Sequence, residues 1–318
     1  MNLFVSLKYL VALDDHKHFG RAALACHVTQ PALSNALRAL EEHYACSIVK
    51  RGRAFAGFTE EGERVLATAR QLLHEQELLQ QELQSRVEAP RGHLLIGAVP
   101  TAMPVAARFV AMLQDRHPGI VPTLRSMSSI ELETGLESLA LDLGLGYNER
   151  MHEGRTQLRV LPQYTEHYFL LQRAAAAGPA GSTGRLHMGA PIGWAEAAAL
   201  PLCLLSAEMH NRSIVDRAFA AAGARVQPAI ESNSTVTLVT SVLAGRVCSI
   251  LPGALLDTVQ GHPGLEARPL IAPQIRVPIA LMVHNTNRPS RTLAAALDFA
   301  QQADWLASAA RHAGLLGG

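Results

Sequence analysis

Gln30, Ser34, Asn35 and Arg38 are the residues whose types and spacing carry the clearest chemistry. Gln and Asn pair with adenine edges, Ser takes either donor or acceptor role, and Arg binds guanine or phosphate. At helical spacing the four share one polar face, off the apolar stripe of Leu33, Ala36, Leu37 and Leu40. Thr29 is placed to cap that helix, and Pro31 fits its first turn, where no backbone donor is needed. Downstream, Arg51 and Arg53 sit where a small β-wing meets phosphate or the minor groove.

A second set lies at strand ends and helix starts further along the chain: Thr101, Ala102, Met103, Ser128 and Ser129, then Met209, His210, Asn211, Arg212 and Asn233. Such positions face the cleft of an α/β fold, and helix starts favour anions. An Arg at a helix start adds to an already positive end unless an anion sits nearby. Arg212 therefore points to a small carboxylate.

The elements that position the first set are short. Leu3 to Asp14 has one apolar face in Leu3, Leu7, Leu10 and Val11, and Arg21 to His27 is a small Ala-rich helix. A tight turn leads to the helix bearing Asn35. Together they form a helix-turn-helix, and Ser47 to Phe58 follows as a two-stranded wing with Gly52 and Gly57 as turn material. From Thr59 to Ala89 the chain is rich in Glu, Gln and Leu. Val65, Ala69, Leu72, Gln76, Leu79 and Leu83 recur at spacings of four and three, a pairing seam. No apolar partner for that helix is evident before it in the chain, which favours a second subunit over its own domain. Pro90-Arg91-Gly92 ends it.

The remainder alternates strand and helix: strands at 93–99, 121–127 and 141–146 around helices at 105–114 and 130–140. A further set begins at Tyr168 to Gln172 and continues through 202–205, a helix 211–222, 226–231, a helix 235–244 and 247–251. A strand at 276–284 and a helix at 291–307 close the chain. Two parallel α/β units in series predict two lobes around a cleft.

Several function classes are excluded. The fourteen histidines form no HExxH, and neither a nucleophile elbow nor a Walker loop occurs, so no enzyme is expected. The four cysteines, Cys26, Cys46, Cys203 and Cys248, make no CxxC pair, so neither a metal nor a cofactor is expected. Cys26 reads as packing the hairpin's core, and Asp142 as a structural residue at a strand end. Net charge is +1 over 318 residues, so attraction to nucleic acid must come from local placement of Arg and Lys. The start lacks a secretory signal and no apolar run spans a membrane, which predicts a cytoplasmic protein.

The blocks Leu7-Lys8-Tyr9-Leu10-Val11-Ala12-Leu13, Phe19-Gly20-Arg21-Ala22-Ala23, Val28 to Ser34, Leu40-Glu41-Glu42, Arg51 and Phe58-Thr59-Glu60-Glu61-Gly62 occur in order and at uninterrupted spacing. In these the chain resembles the LysR-type transcriptional regulators. Its wing tip, Ala54-Phe55-Ala56-Gly57, is less polar than theirs. Leu94 to Val99, Asp142 to Leu145 and Gly245 to Pro252 are similar to the effector domains of that family. The resemblance implies an α/β multidomain fold: a winged helix-turn-helix over 1–58, a linker and dimerisation helix over 59–89, and an effector domain over 90–318 like periplasmic binding proteins. Its first lobe would comprise about 90–161 and 267–318, its second about 162–266. It implies a homodimer or homotetramer on double-stranded DNA with an interrupted inverted repeat, controlled by a small effector. Leu200 to Leu205 with Asn211-Arg212 is similar to members associated with formate or related small acids. The N-terminal blocks are also similar to the peroxide-sensing branch, which needs two cysteines close in sequence in the second lobe. Cys203 and Cys248 are far apart, so redox sensing is the alternative.

Overall fold

The structure is a computed structural model and describes residues 2–50, 52, 55–84, 89–148, 157–174, 186–285 and 288–313. The chain divides into two compact units, residues 1–88 with 137–140, and residues 89–136 with 141–318.

The first unit is a helical head. α1 (Leu3–His16), α2 (Phe19–Ala25) and α3 (Gln30–Tyr44) bury Leu7, Leu10, Leu13, Ala22, Ala23, Leu33, Leu37 and Leu40 in one core. Each helix start is capped by a side chain: Asn2 for α1, the His18 ring for α2 and Thr29 for α3. The fourth helix, α4 (Glu60–Gln84), begins by packing on this same core through Leu66 and Ala69. This corrects the expectation that nothing before it offers an apolar partner, since α1 does. Arg70 of α4, only 8% exposed at its side chain, donates to Asp14 and to Asp15 at the end of α1, both at 2.8 Å. Leu72 and Leu79, further along, stay exposed. Among the described residues the wing shows a strand-like pair, Val49 with Phe58, and a Lys50 N–H bond to the Gly57 carbonyl. Arg51 and Arg53 lie outside the described residues, as does Leu83 as a side chain.

The second unit is a continuous sheet with helices on its faces. Its elements are β1 (Gly92–Ala98), a 3-10 turn at Pro100–Ala102, α5 (Met103–Arg116), β2 (Ile120–Ser126), α6 (Ser129–Glu137), β3 (Leu143–Tyr147) and β4 (Leu158–Arg173). Then follow β5 (His187–Met188), β6 (Ile192–Gly193), α7 (Trp194–Ala197), β7 (Leu202–Leu205), α8 (His210–Ala221) and β8 (Ile230–Ser232). The chain closes with α9 (Thr235–Ala244), β9 (Cys248–Pro252), α10 (Gly253–Asp257), β10 (Leu265–Ile271), β11 (Arg276–His284), α11 (Arg291–Ala300) and α12 (Ala303–His312). Strand order is β2-β1-β3-β11-β4-β9-β7-β8.

β4 joins the two lobes. Up to His167 it pairs with β11 in the first lobe, and from Tyr168 it pairs with β9, and with β10, in the second. The sequence predicts only its last stretch as a strand, and β10 was not predicted. The register shifts beside Gln163, the extra residue of a bulge. Gln163 Oε1 accepts from the Trp305 indole at 2.6 Å. The helix predicted over 291–307 is two helices, broken at Gln301 and Gln302, where Trp305 turns in to meet Phe109 edge-on at 4.9 Å and Phe299 at a tilt at 5.7 Å.

Candidate functional site

α3 carries the first site. Thr29, Gln30, Pro31, Asn35 and Arg38 are exposed and Ser34 is half-buried, opposite the buried Leu33, Leu37 and Leu40. The Thr29 hydroxyl accepts from the Ala32 N–H at 3.3 Å, and Pro31 sits in the first turn. Arg38 donates to the Asn35 side-chain oxygen at 3.4 Å, which fixes the two as neighbours on the polar face. A groove of about 440 Å³ runs beside that face, lined by Phe19, Ser34, Arg38, Glu41, Val49, Lys50 and Gly52 among others.

Sequence reasoning gave Glu41 no role of its own, and the structure assigns it one. Its Oε1 accepts from the N–H groups of Ile48 and Val49 at 2.7 and 3.1 Å, so one carboxylate ties the wing's base to α3. Thr59 closes the other side. Its N–H donates to the Ile48 carbonyl at 3.0 Å, and its hydroxyl accepts from Gly62 at 2.9 Å. Gly62 is required there: a Cβ would stand 2.1 Å from the Ile48 carbonyl oxygen. The apolar wing tip also has a reason. Phe55 turns inward, edge-on to Phe58 at 5.1 Å and to Phe19 at 6.1 Å. Cys26 is half-buried at the C-terminal cap of α2 rather than in the core, a correction that follows from its place past the last helical turn.

The second site is a cleft between the lobes of the second unit. Thr101, Ser128, Ser129, Met209, His210 and Asn211 meet there, with Val99, Pro100, Tyr147 and Leu205. The cavity is about 10 Å³, the room one water molecule needs. Ser128 caps α6 reciprocally with Glu131: Ser128 N–H donates to Glu131 Oε2 at 2.8 Å, and the Glu131 N–H to Ser128 Oγ at 3.3 Å. Ser129 is 6% exposed, and its hydroxyl has no hydrogen-bond partner among the described residues. α8 starts at the cleft with no side-chain cap on its first N–H groups.

Four predicted residues do not join this cavity. Ala102 is fully buried in the core, Met103 packs against that core, and Asn233 is exposed elsewhere. Arg212 is the main correction. Its Nε donates to both Asp216 oxygens at 2.9 and 3.1 Å, and its Nη1 to Glu231 at 2.6 Å and the Leu205 carbonyl at 2.8 Å. Burial works against its charge, and the two carboxylates outweigh that and hold the guanidinium protonated. They are also the counter-charge that an anion was expected to supply.

Sequence reasoning missed the polar cluster behind the cavity. Tyr147, one residue beyond the predicted strand, shares a 2.7 Å hydrogen bond with Thr101 and accepts from Asn211 Nδ2 at 3.1 Å. Asn211 Nδ2 also donates to the Tyr168 hydroxyl at 3.0 Å, and Tyr147 donates to Glu166 Oε2 at 3.4 Å. The alternation Tyr164, Glu166, Tyr168 was a readable signal, since it sets three polar-tipped residues on one strand face.

The cysteines of the second lobe are placed apart. Leu202 pairs with Cys248 and Cys203 with Ser249 across adjacent parallel strands, so the two thiols point to opposite faces of the sheet. Burial pushes both thiols up from their ordinary value, away from the reactive thiolate. Neither lines the cleft. Among the described residues, no cluster of ligating side chains could hold a metal, and no helix is long and apolar enough to cross a membrane.

Residues 88–305 match the LysR substrate binding domain, and residues 4–63 match the bacterial regulatory helix-turn-helix protein, lysR family. The chain is 28% identical over 295 residues to the DNA-binding transcriptional dual regulator OxyR of Escherichia coli strain K12, covering 90% of each. It is 34% identical over 142 residues, 45% of each chain, to an SDS degradation transcriptional activation protein of a Pseudomonas species. Among solved structures it is similar in fold to a full-length OxyR variant of Pseudomonas aeruginosa, with TM-score 0.70 and 23% identity over 94% of this chain and 97% of that one. It is likewise similar to full-length CbnR complexed with its target DNA, with TM-score 0.63 and 19% identity over 94% and 98%. The chain belongs to the LysR family and is a DNA-binding transcriptional regulator, not an enzyme.

Proposed function

We propose that the polar face of α3 reads operator bases in the major groove, and that a small polar effector bound in the cleft between the lobes controls it. The reading rests above all on the exposed face of Gln30, Asn35 and Arg38, held rigid by the leucines behind it. Ser34 adds a base or phosphate contact, and Thr29 with Pro31 brings the positive helix start to the backbone. Arg51 and Arg53 carry the wing's phosphate contacts. The boundaries 1–58, 59–89 and 90–318 divide the roles of reading, pairing and sensing. A homodimer, or a homotetramer of dimers, reads an interrupted inverted repeat in the cytoplasm.

For the effector, Thr101, Ser128, Ser129, His210 and Asn211 supply polar atoms and the uncapped start of α8 supplies backbone donors. With Arg212 already paired, a carboxylate would be held by those donors alone, so an uncharged polar molecule fits the site at least as well. A thermal-shift screen of the full chain should compare formate and acetate with uncharged amides and alcohols of similar size. Stabilisation by at least one class, abolished in Thr101→Val, is expected by mass action. Stabilisation that survives Thr101→Val places the effector elsewhere. A thiol switch is the second reading, carried by the OxyR relatives. Regulation unchanged after joint replacement of Cys203 and Cys248 by Ser removes it.

A further inference from the structure

Glu166 is fully buried at the residue where β4 leaves one lobe for the other. It pairs with Val277 of β11 in the first lobe, and two residues later Tyr168 pairs with Pro252 of β9 in the second. Two hydroxyls converge on its carboxyl group: Tyr147 from β3 of the first lobe and Tyr168 from the second-lobe half of β4. Asn211, at the start of α8 in the second lobe, donates to both of those hydroxyl oxygens. The Tyr147 to Asn211 bond therefore crosses the cleft, and the whole set of donors ends on Glu166.

We propose that Glu166 is a proton-carrying latch between the two lobes, closed while its side chain is a neutral acid and released when it ionises. Among the described residues, no cation balances a charge there. The titratable groups facing it are Tyr147 of β3 and Tyr164 and Tyr168 of β4; burial and the nearby carboxyl raise the first two well above their ordinary value, so they stay neutral. His210 of α8 lies against the Tyr147 ring at 4.9 Å, and His167, with Arg276 beside it, lies on the opposite face of β4. Among the described residues, Glu166 Oε1 and the Tyr164 hydroxyl are buried without a hydrogen-bond partner. An ionised carboxylate with one oxygen unsolvated is costly. Its relief is water, and water enters only if the lobes part. Burial raises the Glu166 carboxyl from its ordinary 4.5 to about 8, against the pull of the two tyrosine hydroxyls. The released proton goes to bulk water. The latch bears on regulation through the reading of the cleft as the effector site, but its test needs no effector and so fails or succeeds separately.

The sign is set by linkage. A raised carboxyl stabilises the folded state fully below about 4.5, loses that stabilisation as pH climbs toward about 8, and contributes none above it. Glu166→Gln keeps a neutral polar group and removes the proton. The full-length chain should be melted across this range, and hydrogen exchange followed in peptides carrying Tyr147 and Tyr168, corrected for intrinsic exchange. The folding equilibrium of Glu166→Gln should gain on wild type by up to tenfold per pH unit in the window. Wild type alone should lose protection at the two tyrosines as pH rises. Parallel profiles in the two proteins overturn the latch. So does a stability difference without loss of protection, which is burial without opening. If Glu166→Gln does not fold, Tyr147→Phe decides: losing a donor to the carboxylate should move the wild-type midpoint upward, and an unmoved midpoint overturns the proposal.

Discussion

At the residue scale, partners decide what a charged side chain can do. Arg38 is exposed and Arg212 is buried; among the described residues Arg38 has only Asn35 as a weak partner, while Arg212 holds two carboxylates and a carbonyl. Arg38 is free to meet an external acceptor. Asn35→Ala should cost roughly 1–3 kcal/mol at one operator position and relax specificity there, whereas Arg38→Ala should change the salt dependence or the preference for guanine. Gel-shift titrations on matched operator variants at several salt concentrations check both, and unchanged binding in both variants removes this face from the interface. The reading of Asn35 was open to sequence because helical spacing alone exposes it. The fate of Arg212 was not, because Glu231 comes from β8, a strand whose place beside α8 is a matter of tertiary pairing.

At the scale of elements, those with self-contained signals were legible and those defined by partners were not. α9 and β11 begin and end where the sequence predicts, the first with Ser234 as its cap and the second as an uninterrupted apolar run. β4 was mostly hidden, because it carries a bulge at Gln163 and changes partners from β11 to β9 and β10 partway along. The break between α11 and α12 has no Gly or Pro and is imposed by Trp305 reaching Gln163 and two phenyl rings. The junction of wing and α4 yields a sharp test. Gly62→Ala forces a Cβ against the Ile48 carbonyl, a backbone group that cannot rotate away. Overpacking of this kind costs about 1–3 kcal/mol. Denaturant melts of the head should register that loss, and operator affinity should fall with it. An unshifted midpoint would mean that the wing does not hold α4.

At the scale of the whole molecule, the fold class and the family were evident from the N-terminal blocks and from the alternation of strand and helix. The cleft's lining was largely evident: the strand-end rule found Thr101, Ser128, Ser129, Met209, His210 and Asn211, and the buried Tyr147, Glu166 and Tyr168 behind them needed the crossover of β4. In the proposed assembly, pairing turns on α4. Leu72 and Leu79 are seven residues apart and 40% and 54% exposed, as expected of a seam awaiting a second helix. Replacing both with Glu should leave the head's melting intact while converting the chain to monomer in analytical ultracentrifugation. Retained assembly would move the pairing surface elsewhere.

The Arg70 ion pairs give that helix a mechanical character. Its first turns are welded to α1 through Asp14, Asp15 and the shared core, and only its later turns present an unpartnered face. Head and helix thus form one stiff crank, about 37 Å along the shaft at 1.5 Å per residue. A crank has no joint of its own. Wherever the free end of the shaft is clamped, α3 must turn with it, so in the proposed dimer the angle between the two α3 helices would be decided at the clamp.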